Sequence, residues 1–319
     1  MKIQKCLGCY ENSNLEMGFY HSKCSRKLFG TPIPPSVDFG IEDLEDLAKK
    51  ALSQHLGITG VQPKLSVDLS KQKGDPKHRL FIAGLWGNFI MKLPSPRFPD
   101  MPIVEDVTMH MARESGIKTA DHGLIQLRSG ELAYVTRRFD REKKGRVLTK
   151  IAVEDFCQLS GLLTERKYKT SMEKAGKVIS EYSSSPGLDM ITFLDIALFS
   201  FLTGNADMHL KNFSLMTTES GDVELAPAYD LISTRLMPIR DTEEMALPLN
   251  GKKSRLTLND FRKMAETLKI SQKVFENRVR HLEEAIPKMR KRIEKSFLSF
   301  ELKKQYGDLL SKRSAVLFR

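Results

Sequence analysis

Apolar positions along the chain change period near its middle. Between 61 and 93 they alternate or run short, as strands do. KLSVDLS alternates, KQKGDPKHR turns, LFIAG follows, and NFIMKLP is a short apolar strand stopped by Pro94. Ahead of them, IEDLEDLAKKAL has apolar residues at 41, 44, 47, 51 and 52, the spacing of an amphipathic helix. VEDVTMHMARESGI predicts a helix with Glu105 at its start. HGLIQL and LAYVTRRF predict two strands around the turn RSGE. After Asp140 the strand signal fades. From about 151 the dense apolar faces of VEDFCQLSGLL and ITFLDIALFSFLTG predict helices. NFSLMTT and DVELAP flank the turn ESGD as short strands. Residues 257–306 read as helical, with a break or a helix start at Pro287.

This order predicts an α+β protein, a mixed α/β half followed by a helical half, joined near 141–150. Residues 1–30 form a small cysteine-containing head, and GTPIPPSVDFG (30–40) is its linker. The expected domains are the head at 1–30, a first lobe at 31–145 and a helical lobe at 146–319. No repeat is present.

Charge changes the picture only locally. The 319 residues carry a net +11, but residues 251–319 hold 19 Lys/Arg against 8 Asp/Glu, and residues 1–250 are balanced. A basic C-terminal quarter either docks on an acidic partner or is a set of helices with solvated faces. No apolar run approaches the ~20 residues of a bilayer span, and the N-terminus has no signal-peptide core. A cytoplasmic location without a membrane partner is therefore expected. In that compartment Cys6, Cys9, Cys24 and Cys157 are ligands or buried thiols rather than disulfides.

The segment TGNADMHLKNFS (203–214) carries the strongest chemical signal. It follows an apolar helix, so Gly204 and Asn205 end the helix and open a loop with Asp207, His209, Lys211 and Asn212. Phosphoryl transfer needs a carboxylate to orient the attacking hydroxyl and an amide oxygen to hold a metal on the nucleotide phosphates. The protein-kinase catalytic loop supplies them at the same Asp-x₄-Asn spacing. Asp230 follows eighteen residues after Asn212, past a short hairpin, as a second metal-binding acid. The competing reading is a polar turn and a surface Asp.

Lys92 lies inside an apolar strand, where an ammonium is costly unless it meets an anion. Glu105 stands thirteen residues on and suits an ion pair of the kinase strand-Lys, helix-Glu kind. An edge-strand Lys reaching solvent is the alternative. In the head, Cys6-x₂-Cys9 and His21-x₂-Cys24 form two knuckles eleven residues apart. Four such ligands suit tetrahedral Zn²⁺, against free thiols with a surface His.

At these residues the chain resembles the HipA-like serine/threonine kinases, toxins of the HipA and HipBST toxin–antitoxin systems. The resemblance lies in GVQPK (60–64), NFIMKLP (88–94), YVTRRFDR (134–141), LTGNADMHLKNFSL (202–215) and LAPAYDLIST (225–234). It implies a two-lobe protein-kinase-like fold that uses ATP and Mg²⁺. It makes Asp207 the catalytic acid and Asn212 and Asp230 the metal ligands, and it sets Lys92 on the phosphates with Glu105 as its pair. Thr59, Gly60, Val61, Gln62, Pro63 and Lys64 become the phosphate loop. Arg137, Arg138 and Phe139 become the adenine hinge, with Asp140 in reach of the ribose. His209, Lys211 and Tyr229 complete the nucleotide site. The resemblance is nearest the short HipT type, in which a separate small HipS-like protein supplies the N-terminal subdomain of full-length HipA. It further implies a HipB-like DNA-binding antitoxin, hence indirect DNA association, and a protein substrate such as an aminoacyl-tRNA synthetase. Where family members carry a regulatory serine before the phosphate loop, this chain reads Gly57-Ile58-Thr59, so Thr59 is the expected autophosphorylation site.

Two rivals make distinct predictions. A small-molecule phosphotransferase of the aminoglycoside-kinase type shares the Asp-x₄-Asn loop but phosphorylates a metabolite. A zinc-bearing nucleic-acid-binding module using the basic quarter predicts salt-dependent DNA or RNA binding without ATP affinity.

Overall fold

The computed structural model describes residues 5–12, 19–43, 64–71, 78–144, 147–237 and 242–318. It divides into two compact units. The first comprises Met1–Val107, Ala120–Arg138 and Lys295–Leu298. The second comprises Thr108–Thr119, Phe139–Glu294 and Ser299–Arg319. The division after Arg138 falls ahead of the join expected at 145. The head groups with the sheet, and Thr108–Thr119 groups with the second unit. The expected helix over 41–52 lies outside the described residues beyond the short turn Ile41–Asp43.

The first unit is built on helix α1 (Ser22–Phe29) and a six-stranded sheet. Its strands are β1 (Ser36–Val37), β2 (Lys64–Lys71), β3 (His78–Ile82), β4 (Phe89–Lys92), β5 (His122–Gln126) and β6 (Leu132–Arg137), in spatial order β1-β3-β2-β4-β6-β5. All pairings are antiparallel except β1 with β3. The strand residues Leu65, Val67, Phe89, Met91, Leu124, Ala133 and Val135 are all buried, as are Val104 and Val107 of helix α2 (Met101–Glu114). The register sets Lys64 directly opposite Lys92, and Lys92 opposite Tyr134. Helix α2 starts at Met101, so Glu105 sits in its second turn rather than at its beginning.

In the second unit, the charged hairpin β7 (Arg141–Lys144) and β8 (Val147–Lys150) occupies the stretch where apolar alternation disappears. The helix expected over 153–163 is instead β9 (Val153–Asp155) followed by the single turn α3 (Phe156–Leu159). Pairing with β10 (Ser214–Thr217) draws Val153–Asp155 into a sheet of order β11-β10-β9, with β11 at Val223–Leu225. Asp155 then caps α3 in a capping box with Gln158.

Helices α4 (Met172–Tyr182), α5 (Pro186–Thr203), α6 (Leu258–Thr267), α7 (Gln272–Lys295) and α8 (Phe300–Leu317) supply the rest. α5 is long and apolar enough to meet the lower limit for a membrane span. Its apolar side chains are core instead: Ile196 through Thr203 are all buried, Phe193 packs on Phe156 and Phe213, and Phe201 packs on Phe261.

Pro287 neither breaks nor starts a helix; it lies within α7. A proline there removes one backbone hydrogen bond, but Pro287 and Glu283, four residues before it, are both exposed. The buried stripe of Phe275, Leu282, Ala285, Met289 and Ile293 holds the helix in place. Part of the basic quarter is structural. Arg278 makes two bonds to Asp195, at 2.8 and 2.7 Å, Arg292 pairs with Glu114 at 2.7 Å, and Arg313 pairs with Glu244. Lys288 and Lys291 remain exposed.

Candidate active site

The polar loop of the second unit begins where α5 stops. Gly204 caps the helix at φ 69°, a left-handed conformation that glycine adopts without strain. A Cβ there would also lie 2.8 Å from the Arg235 side chain. The loop is then tied to itself and to Thr234. Asn205 Oδ1 accepts from the Asp207 amide at 3.1 Å, and Thr234 Oγ1 accepts from the Ala206 amide at 3.0 Å. Asn212 Nδ2 donates to the Asp207 carbonyl at 3.0 Å. That bond engages the amide nitrogen of Asn212 and leaves its Oδ1 as the group suited to a hard cation.

The Tyr168 hydroxyl donates to Asp207 Oδ1 at 2.6 Å, and the Tyr168 ring stands edge-on to the His209 ring, with centroids 5.0 Å apart. Burial and the Asp207 bond push the Tyr168 phenol upward, so it remains a neutral donor. Burial likewise depresses His209, against the pull of Asp207, and its buried Nδ1 has no hydrogen-bond partner among the described residues. Its imidazole is therefore neutral near pH 7.

Lys211 turns to Asp155, with Nζ 2.6 Å from Oδ2. Its carbonyl accepts from the Tyr229 hydroxyl at 2.8 Å, and that hydroxyl also meets Ser214 Oγ at 2.6 Å. Burial raises the Tyr229 phenol. Asp230 follows at φ 57°, a left-handed conformation that is uncommon outside glycine and costs of order 1 kcal/mol. Phe139 leans on the Tyr229 ring at 5.5 Å, and Asp140 Oδ2 pairs with Arg141 Nη1 at 2.6 Å. A 490 Å³ groove of the same unit, lined by Met190, Ile191, Leu268, Ile270 and Val274, contains none of these residues.

In the first unit Lys92 Nζ is 2.7 Å from Glu105 Oε1, with both side chains buried and the Tyr134 ring 5.7 Å from the ammonium. Lys64 stands across the strand pair from Lys92. Like charges placed directly opposite on a sheet repel. Thr59, Gly60, Val61, Gln62 and Pro63, which precede Lys64, lie outside the described residues. The Arg137 side chain turns to the head, donating from Nε to the Leu28 carbonyl at 2.9 Å, and the Arg138 amide donates to the Asn88 carbonyl at 2.9 Å. The head brings together Cys6, Cys9, His21 and Cys24, whose ligand atoms all lie within 4.8 Å of one another.

Sequence reasoning missed Tyr168, Asp155, Thr234 and Ser214. Tyr168 is 39 residues from Asp207, in a segment whose pattern announces no chemistry. A polar residue at the Thr234 position could be suspected only from the loop's need for an acceptor at its first free amide.

A family model described as the HipA-like C-terminal domain matches residues 56–294. Y4dM of Sinorhizobium fredii, named as a kinase, is 31% identical over 258 residues, covering 77% of this chain and 60% of its own. The serine/threonine-protein kinase toxin HipA of Shewanella oneidensis is 31% identical over 196 residues, 56% of this chain and 43% of its own. The chain thus spans about half the length of these curated relatives. Among solved structures, S. oneidensis HipA, determined with HipB and operator DNA, superposes with a TM-score of 0.67 over 82% of this chain and 65% of that one, at 23% identity. The Helicobacter pylori proinflammatory kinase CtkA gives 0.53 over 72% of this chain and 86% of that one, at 17% identity. At these identities the structural likeness speaks for the fold, which is kinase-like. The matched family segment runs from before the Lys92 strand through the loop of Asp207 and Asn212 and past Asp230, and on that ground the chain belongs to the HipA-like kinase family.

Proposed function

We propose that this chain is an ATP-dependent serine/threonine protein kinase in which Asp207 orients the acceptor hydroxyl. The observation that carries the reading is the bond from Asn212 Nδ2 to the Asp207 carbonyl. It folds the Asp-x₄-Asn segment so that one loop offers both a carboxylate and an amide oxygen. Asp207 accepts a hydrogen bond from the serine or threonine hydroxyl and takes its proton as the oxygen–phosphorus bond forms and the bond to the ADP leaving group breaks. Lys92, held by Glu105, and Lys64 supply positive charge for the phosphates. The oxygen donors of Asn212 and Asp230 fit Mg²⁺, which when bound neutralises phosphate charge. His209, kept neutral by burial, adds no charge to the loop. Lys211, engaged with Asp155, acts by positioning the loop through its contact with Tyr229's hydroxyl.

The same reading extends to biology. The HipA relative is named a toxin, and its structure was solved with HipB and operator DNA. We read this chain as the toxin of such a pair, with a DNA-binding antitoxin of HipB type, a small HipS-like partner and a translation component such as an aminoacyl-tRNA synthetase as acceptor. Brief induction with γ-labelled ATP tests both levels. The wild-type chain should arrest growth and label protein serine or threonine. Asp207→Asn should do neither, losing about 10²- to 10⁴-fold in transfer. Persistent labelling by Asp207→Asn would overturn the catalytic assignment, and label appearing on a metabolite would favour a small-molecule phosphotransferase.

A further inference from the structure

The first unit carries a cluster that the phosphoryl-transfer reading does not use. We propose that Cys6, Cys9, His21 and Cys24 hold one tetrahedral Zn²⁺ ion, and that this ion locks the head onto the sheet edge and onto the helix that carries Glu105.

Geometry comes first. A tetrahedral site with Zn–S near 2.3 Å and Zn–N near 2.0–2.1 Å sets its ligand atoms about 3.4–3.8 Å apart. The four ligand atoms here lie within 4.8 Å of one another. His21 Nδ1 stands 3.3 Å from Cys9 Sγ and 3.9 Å from Cys24 Sγ. None of the three cysteines is in a disulfide, and three thiols cannot pair off completely.

The backbone supplies a second, independent sign. The amides of Gly8 and His21 both donate to Cys6 Sγ, at 3.4 and 3.3 Å. A neutral thiol is a weak acceptor, and Cys6 is fully buried. Two N–H groups converging on one buried sulfur suit a metal-bound thiolate, whose negative charge such bonds stabilise. The turn that aims them is tight: a Cβ on Gly8 would lie 2.5 Å from the Tyr20 ring. Three sulfurs and one imidazole in a closed set match a structural zinc site rather than a catalytic one with an open position.

The head needs such a staple, because so few residues cannot bury enough apolar surface to order themselves. What it holds is specific. β5 is an edge strand, and the head satisfies both backbone groups of Leu124: the amide donates to the Leu7 carbonyl at 3.1 Å, and the carbonyl accepts from the Tyr20 hydroxyl at 2.7 Å. Tyr10, next to Cys9, donates through its hydroxyl to buried Asp106 Oδ2 at 2.5 Å, and the other oxygen of Asp106 meets His122 Nδ1 at 2.6 Å. Asp106 adjoins Glu105, the partner of Lys92. The link to the ion pair rests on the kinase reading for its functional meaning, whereas the metal site itself does not.

The test uses the full chain purified under reducing conditions without chelator. Metal analysis should find one zinc per chain, released in step with mercurial titration of the thiols. The zinc-free chain should take up Co²⁺ with the intense visible bands of tetrahedral thiolate coordination. Cys9→Ser and Cys24→Ser should lose the metal, while His21→Cys and Cys157→Ser should keep it. Zinc removal should raise amide exchange of Val104–Val107 and lower the melting temperature. A wild-type chain that neither contains zinc nor takes up Co²⁺ would overturn the site, whatever becomes of the variants. A metal-bearing chain whose α2 exchange ignores zinc removal would overturn the positioning role. Neither readout depends on phosphoryl transfer, so failure of the kinase reading would be separately visible.

Discussion

The Tyr168 hydroxyl donates a 2.6 Å hydrogen bond to Oδ1 of Asp207, the carboxylate assigned to receive the acceptor hydroxyl. A phenol on that oxygen occupies the same kind of bond that a substrate serine or threonine would make, so the two compete. Tyr168→Phe removes the competitor and keeps the ring edge that packs on His209. The KM for the protein acceptor should fall several-fold while the affinity for ATP stays the same. Steady-state kinetics with the acceptor varied at saturating ATP checks this. An acceptor KM that rises instead would make Tyr168 a substrate-positioning group.

His209 gives a pH signature of stability. Burial lowers its proton affinity in the folded loop below its ordinary value of 6.5. The unfolded chain therefore binds that proton more readily, and stability falls as pH drops below about 6.5, with a limiting slope of about 1.4 kcal/mol per pH unit until the folded-state value is passed. Above 6.5 both states are neutral and this contribution is constant. His209→Asn should flatten urea-unfolding stability over the window just below pH 6.5. Asp207, Asp230 and Lys167 act on the same imidazole, and the wild-type to variant difference cancels their own slopes to first order.

The Lys92–Glu105 pair is buried on both sides. Removing one member takes the ion-pair partner from a buried charge, so Glu105→Gln and Lys92→Met should each destabilise, by up to about 3–5 kcal/mol. The double variant Lys92→Met/Glu105→Leu should cost well under the sum, because the two opposite charges leave together. Denaturant unfolding measures all three. Nucleotide binding should fail in both variants lacking Lys92, including the more stable double one, which separates phosphate binding from folding.

Asp230 combines a carboxylate with an unfavourable φ of 57°. Asp230→Gly keeps that backbone at no strain and removes only the carboxylate. The relieved strain should offset, by up to about 1 kcal/mol, the cost of the carboxylate's lost contacts and of glycine's greater entropy in the unfolded chain. Mg-ATP should raise the melting temperature of the wild type, by the equivalent of about 2.7 kcal/mol at a hundredfold excess over Kd. Asp230→Gly should lose most of that shift, as read by thermal unfolding with and without Mg-ATP. A full shift in the variant would remove Asp230 from the metal site.

Local features were legible without coordinates. The strands at 64–71, 89–92, 122–126 and 132–137 and the helix at 101–114 follow from period-2 and period-3.6 patterns that each segment carries alone. The stop of α5 at Gly204 follows from the glycine's conformational freedom, and the spacing of Asp207, Asn212 and Asp230 is visible in the chain. The hairpin at 141–150 was not, since its charged residues show no alternation. The strand at 153–155 reads as helix until β10 is present to pair with it, and Pro287 reads as a helix boundary until its exposure is known.

The sequence by itself determined the kinase-like order of segments, the Asp-x₄-Asn loop and the Cys/His spacing of the head, because each is written in residues a few positions apart. Tertiary structure alone decided what those residues touch. Strand register set Lys64 against Lys92. Contacts across 39, 56 and 104 residues brought Tyr168 to Asp207, Asp155 to Lys211 and Tyr20 to the edge of β5. Such pairings depend on how the chain closes long loops and buries its apolar faces, and neither leaves a trace in the local pattern.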